Sequence, residues 1–378
     1  MTPLVLTGAD VLRAGRLARD VLAVSGGRIV ADPPTGARRV DLSGFRLLPG
    51  IVDAHGDGFE RHLAPRRGAM ADLGAGLDAA EAELAANGIT TAVLAQFWSW
   101  EGGMRAPAFA RRVLAALDAR AEEGTDLRAQ LRFETHMLDD YADFEAAVAA
   151  HRVAYVVFND HLPHARLAEG RRPPRLTGQA LKSGRSPEAH LALMQRLHAR
   201  GSEVPAALDA LAARLTARGM LLGSHDDRTA EDRALWRARG VRIAEFPETR
   251  AAAEAAASAG DAVVMGAPNV VRGGSHDGKV AAADLVADAL VTALASDYHF
   301  PALKQAAMLL APRLGLAAAW ALISERPAAM LGLADRGRLE PGMRADLVVL
   351  DTAGRVGATF ADGVPRYMAG EAAARFLM

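Results

Sequence analysis

Gly50-Ile-Val-Asp-Ala-His-Gly-Asp57 is a short apolar run that ends in an imidazole and a carboxylate. It reads as a strand over Gly50–Ala54 with His55 and Asp57 just past its carboxyl end. The same kind of run recurs along the chain. Thr90–Ala95, Gln130–Thr135, Ala154–Asn159, Gly219–Gly223, Val241–Ala244, Ala262–Met265 and Val291–Ser296 complete a set of eight candidate strands. Between them lie Ala/Leu/Arg segments with an apolar stripe, at Asp78–Ala86, Pro107–Glu122, Pro187–Arg200 and Asp227–Arg239. Ala165–Gly184, rich in Arg, Pro and Gly, reads as a loop or short excursion. An α/β fold follows. Residues 53–334 allow about 35 for each of eight strand–helix units, near the ~250 residues typical of a (β/α)8 barrel. A doubly wound sheet explains the alternation equally well. The position of the polar residues favours the barrel.

Those residues gather at strand ends: His55 and Asp57 at the first, Glu134 and His136 at the third, and Asn159, Asp160 and His161 at the fourth. Ser224, His225, Asp226 and Asp227 end the fifth, and Ser296, Asp297, Tyr298 and His299 end the eighth. A barrel brings all these ends to one face. Three carboxylates (Asp57, Glu134, Asp297) in one desolvated cavity are costly unless cations neutralise them. His55, His161 and His225 add neutral nitrogen ligands. The set suits one or two divalent metal ions, with Zn2+ favoured by the nitrogen share. Two ions sharing a carboxylate would activate water for hydrolysis. A single strand-end His is more often structural, and Asp226 and Asp227 are expected to cap the helix that follows them. Asp53 reads as an anchor of the strand turn. Five strand ends with one pattern favour the metal site.

A basic, Gly-rich segment, Gly266-Ala-Pro-Asn-Val-Val-Arg-Gly-Gly-Ser-His-Asp-Gly-Lys279, follows the seventh strand. Its backbone N–H groups, with Arg272 and Lys279, could cradle phosphates. Arg61, His62, Arg66 and Arg67 follow the first strand, and Lys304 follows the eighth. Cations on the same face as the metal ligands predict a small phosphorylated substrate.

Half the chain is apolar (51%), which excludes disorder throughout and permits a large core. Lys and Arg number 44 against 45 Asp and Glu, so nothing points to nucleic acid or a membrane surface. The absence of cysteine excludes disulfides, thiolate nucleophiles and Cys-ligated metals. Met1 to Asp10 lacks a basic segment followed by a cleavable apolar run, and no apolar stretch reaches ~20 residues, so a cytoplasmic protein is expected. A homo-oligomer is compatible with the sequence. The termini supply further short strands, at Leu4–Leu6, Val21–Val24, Arg28–Val30 and, after a turn at Pro341-Gly342, Asp346–Leu350. They predict a small domain of residues 1–52 plus 335–378 beside a barrel of residues 53–334.

Pro49-Gly-Ile-Val-Asp-Ala-His55, Asp297 and the closing Ala345-Asp-Leu-Val-Val-Leu-Asp351 resemble the metal-dependent amidohydrolase superfamily. That resemblance implies a (β/α)8 TIM barrel with a small β-sandwich formed by both termini. His55-Gly-Asp57, Glu60 to Arg66, Ser224-His-Asp-Asp227, Glu245-Phe-Pro-Glu-Thr249, Met265 to His276 and Ser296-Asp-Tyr298 look like the PhnM family of phosphonate catabolism. Its members are diphosphatases that convert α-D-ribose 1-methylphosphonate 5-triphosphate to the 5-phosphate and pyrophosphate. The resemblance implies metal ligands at His55, Asp57, Glu134, His161, His225 and Asp297, with His136 as an alternative to Glu134 or His161. It makes Asp297 the catalytic base as well. Arg66, Asn269, Arg272, Ser275, His276 and Lys279 are then the expected substrate-binding residues. Gly58 stands where the family has Asn, and His161-Leu-Pro-His-Ala-Arg166 where it has a Thr-Pro-Gly-Gln-like turn. Both departures bear on the organic part of the substrate. They leave room for hydrolysis of a C–N bond in another anionic small molecule, as in most of the superfamily.

Overall fold

A computed structural model describes residues 2–64, 72–120, 124–275 and 278–378. The chain divides into two compact units: Met1–Leu94, Arg120–Arg128 and Ala262–Met378 form one, and Ala95–Ala119 with Ala129–Asp261 the other.

All eight candidate strands are present. They are β1 (Ile51–Gly56), β2 (Ile89–Trp98), β3 (Asp126–Glu134), β4 (Val153–Asn159), β5 (Leu221–His225), β6 (Ile243–Glu245), β7 (Ala262–Gly266) and β8 (Ala293–Ala295). They form one sheet in chain order, with parallel pairing, and helices follow the strands: the fold is a (β/α)8 barrel. Every residue of β1 and β2 is buried, as strands covered on both faces require. First and last strands meet at a seam. Asp297 N–H donates to His55 O at 3.0 Å and Asp57 N–H to Asp297 O at 2.9 Å. Asp53 reinforces it by accepting from Ser296 N–H (3.0 Å) and Ser296 Oγ–H (2.5 Å). The strand-turn anchor therefore reaches across to the other end of the sheet.

The termini build two sheets. Arg28–Val30, Leu22–Ser25, Leu4–Thr7 and Arg38–Asp41 make the first, in that order. Val364–Met368, Val356–Ala361, Leu347–Leu350, Arg46–Pro49, Asp10–Arg13 and Arg16–Arg19 make the second. The two chain ends join where Val348 pairs with Leu48, antiparallel. Alternate residues of the two sheets, including Leu4, Leu6, Val24, Ile29, Leu47, Leu347, Val349 and Phe360, share one apolar core. The expected turn is real: Met343 N–H donates to Glu340 O, and Gly342 takes φ +88°, the type II geometry that Pro-Gly selects.

Three local expectations are corrected. The helix Ala230–Ala238 is capped not by Asp226 or Asp227 but by Thr229, in a capping box with Asp232. Asp227 is drawn instead to Ser224 and Arg233. Ala165–Gly184 lies mostly in two short helices, His164–Ala168 and Leu176–Ser183. The start of the Gly-rich segment is a helical turn, Ala267–Arg272, ended by left-handed Gly273.

Candidate metal centre

The seam places three expected residues together in the first unit. His55 and Asp57 flank Gly56, the bridge partner of Asp297, and backbone hydrogen bonds join all three positions. His55 is fully buried. Burial raises the pKa of Asp53 beneath this turn, although bonds from Ser296 and the His55 N–H work the other way. Arg272 Nη1 donates to the Tyr298 hydroxyl at 3.0 Å, and Arg61 Nη1 to the Tyr298 carbonyl at 3.2 Å, so two guanidiniums border the end of β8. Asn269 accepts from Ala282 N–H (2.9 Å) and donates to Val280 O (3.3 Å), which fixes the chain beyond the glycines. Ser275 and Lys279 lie in the same segment; Arg66 and His276 lie outside the described residues. Arg61 and His62 pair with Glu83, and Lys304 Nζ donates to Gly354 O at 2.7 Å. At Gly58 a Cβ would stand 3.2 Å from Arg61 Nη1 and Tyr298 O and 3.3 Å from the Phe300 ring. Bare backbone there matches close packing.

The second unit holds the other three. Glu134, 1% exposed, pairs with His161 Nδ1 and accepts from His161 N–H (3.1 Å) and Trp100 Nε1–H (3.2 Å). Burial opposes ionisation of Glu134, but the His161 charge and hydrogen bonds outweigh it and lower its pKa. Burial likewise works against protonation of His161, and the Glu134 carboxylate outweighs it and raises the pKa. The rings of His161 and His225 lie 6.3 Å apart. Burial, then the Arg132 charge, pushes His225 down to about 4, so its imidazole is neutral near pH 7. Asp226 Oδ2 lies 3.0 Å from Nδ1 and favours a proton there; Arg132 Nη2 donates into the Nε2 lone pair at 2.9 Å. Arg132 thus occupies the nitrogen a cation would take, and its guanidinium would have to withdraw for Nε2 to bind one, with Asp226 on Nδ1 as in the carboxylate–histidine arrangement of metal ligands.

His136, the alternative to Glu134 or His161, turns away toward Asp160 and His164. Sequence reasoning assigned no role to Glu245 or Arg132. Glu245 is buried at the end of β6, accepts from Gln130 Nε2 (2.5 Å) and Tyr155 OH (2.6 Å), and offers a ligand atom within 4.8 Å of one from His225. Gln130, Arg132 and Glu134 alternate along β3, so they project from one side of it. Five polar residues at period two, Asp126, Arg128, Gln130, Arg132 and Glu134, alternating with apolar ones, were the available signal.

The donor chemistry fits a divalent ion. Buried carboxylates sit beside imidazoles, one held neutral, and zinc requires such deprotonated oxygen and nitrogen ligands.

Over 367 residues the chain is 32% identical to the alpha-D-ribose 1-methylphosphonate 5-triphosphate diphosphatase of Escherichia coli strain K12, covering 92% of this chain and 94% of that protein. The chain belongs to this diphosphatase family. It is therefore a hydrolase. No family profile matches the chain. Among solved structures, an amidohydrolase aligns with TM-score 0.63 at 14% identity over 98% of this chain and 100% of its own. N-acetylglucosamine-6-phosphate deacetylase from Pasteurella multocida aligns with TM-score 0.61 at 12% identity, covering 96% and 99%. An adenosine deaminase from Xanthomonas campestris, with bound Zn, aligns with TM-score 0.56 at 15% identity, covering 100% and 96%. These likenesses establish the amidohydrolase fold for the diphosphatase family member described here.

Proposed function

We propose that this chain hydrolyses α-D-ribose 1-methylphosphonate 5-triphosphate to the 5-phosphate and pyrophosphate, with zinc as its ion. The observation that carries this reading is the near full-length identity to a diphosphatase of that substrate. The acid and imidazole groups at five strand ends support it. His55, Asp57, Glu134, His161, His225 and Asp297 would hold one or two ions. When bound, such an ion acidifies water and offsets charge on the phosphoryl oxygens. Asp297 takes the proton of the attacking water as its oxygen bonds to the phosphorus nearest the ribose. The bond from that phosphorus to the bridging oxygen breaks, and pyrophosphate leaves. Arg272 would meet the polyphosphate, helped by Arg66, Ser275, His276 and Lys279, with Asn269 holding the segment in place; in phosphoryl transfer, positioning and charge do most of the work. A sugar triphosphate does not cross membranes unaided, so an enzyme that consumes one made inside the cell would work in the cytoplasm.

The test is 31P NMR of the zinc-loaded enzyme with this substrate. Pyrophosphate and the 5-phosphate should appear in equal amounts, and Asp297→Asn should lower kcat by about 10²–10⁴-fold. Release of orthophosphate alone, unchanged turnover in Asp297→Asn, or turnover of cyclic amides in place of the triphosphate would reject the reading.

A further inference from the structure

Four side chains in the second unit cluster apart from the ligands proposed above. His136 follows β3, Asp160 follows β4, His164 begins the helix His164–Ala168, and His198 lies near the end of the helix Pro187–Ala199. His136 Nδ1 is 3.5 Å from Asp160 Oδ1, and His164 Nε2 is 2.8 Å from Asp160 Oδ2. The His136 and His164 rings lie 4.6 Å apart, and ligand atoms of His136, Asp160 and His164 all fall within 4.8 Å of one another. Tetrahedral zinc, with bonds of about 2.0–2.1 Å, sets its ligand atoms about 3.3 Å apart. The His136–Asp160 separation is too long for a hydrogen bond and close to that spacing. His136 has only 10% of its side chain exposed, whereas Asp160 and His164 are about one-third open, so an ion could enter from solvent.

The fourth residue completes the pattern. His164 Nδ1 lies 2.8 Å from His198 Nδ1. With Nε2 given to a cation, Nδ1 of His164 carries the proton and donates it to His198. That is the outer hydrogen bond that fixes tautomer and ring direction in metal-bound histidines.

We infer that His136, Asp160 and His164 form a second divalent-cation site, of a size and donor set that suit zinc, with His198 orienting His164 from behind. None of the four belongs to the hydrolytic ligand set. Through His164 the site ties the excursion that begins at His164 to the end of β3. Its role is to brace the excursion, not to act on substrate.

The experiment uses the full chain, stripped with dipicolinate and dialysed against buffered Zn2+, with zinc per chain read by mass spectrometry. Wild type should bind one zinc more than His164→Asn at saturation, with both proteins showing the same circular dichroism. Equal zinc counts in the two folded proteins overturn the inference. Where His164→Asn does not fold, His198→Asn decides, because it leaves all three ligands in place. Its last zinc should bind about 10–100-fold more weakly than in wild type. An unchanged zinc affinity in that variant overturns the site as well.

Discussion

Arg233→Met tests how the end of β5 is held. Arg233 is 2% exposed, and its guanidinium donates to Ser224 Oγ (2.7 Å), Asp227 Oδ2 (3.1 Å) and Asp261 Oδ2 (2.9 Å). Both carboxylates are 1% exposed. Breaking a buried ion pair by removing one partner costs about 3–5 kcal/mol. Asp261 keeps Arg237, so most of the loss falls on Asp227, which retains the Ser224 hydroxyl. Burial already raises the Asp227 pKa, with Arg233 opposing, so without the cation Asp227 takes up a proton and limits the loss. The expected cost is therefore near the lower end, about 3 kcal/mol, or roughly 4 °C in Tm for a chain of 378 residues. Urea unfolding of wild type, Arg233→Met, Asp227→Asn and the double variant measures it. The double variant should recover at least 1 kcal/mol of the summed single losses, since neither charge remains. A loss below about 1 kcal/mol in Arg233→Met, or strictly additive losses, would refute the reasoning.

Asp53→Ala should cost about 2–4 kcal/mol, because it strands the Ser296 N–H and hydroxyl at the seam; a stability change under 1 kcal/mol by urea unfolding would contradict that role. In the metal-free protein His225 should contribute a loss of about 3 kcal/mol as pH falls from about 6.5 to about 4. His225 is held at about 4 when folded, so the unfolded chain binds the extra proton first and stability falls with pH. Against wild type, His225→Gln should show a flatter pH–stability curve in that range; parallel curves would show that His225 does not titrate there.

Most of the eight barrel strands were legible because parallel strands buried on both faces are continuous apolar runs bounded by glycine and charge. The strand ends were legible for a related reason: a carboxylate or imidazole directly after such a run has no core role to explain it. What escaped depends on tertiary partners. Asp227 looked like a helix cap, but a cation six residues on claims it, and Thr229 takes the cap. Glu245 sits before Phe246-Pro247 and resembles a turn residue; its burial against Gln130 and Tyr155 cannot be read from its neighbours in sequence. Arg132 follows the same logic. An arginine inside a strand suggests an exposed face, yet here its guanidinium lies 4.0 Å from the Phe97 ring and against His225. The helices within Ala165–Gly184 were hidden by Arg, Pro and Gly, which weaken any apolar stripe.

Backbone strain separates the strand ends that carry chemistry from ordinary turns. Among the described residues six non-glycine positions have positive φ, and three of them, Asp226 (61°), Phe246 (50°) and Asp297 (55°), follow the ends of β5, β6 and β8. Each such conformation costs on the order of 1–3 kcal/mol, so the surroundings must impose it. They do so with the hydrogen-bonding groups that a parallel strand leaves open where its ladder stops. Asp226 N–H donates to Glu245 O at 3.0 Å, and Asp297 N–H donates to His55 O at 3.0 Å while its own carbonyl accepts from Asp57 N–H. In both units the left-handed residue spends its strain on joining two neighbouring strand ends through backbone. Side-chain packing alone would leave these carboxylates and imidazoles several rotamers each. Anchoring the backbone beneath them first narrows that freedom, so the charged groups can converge without relying on one another's attraction to stay in place.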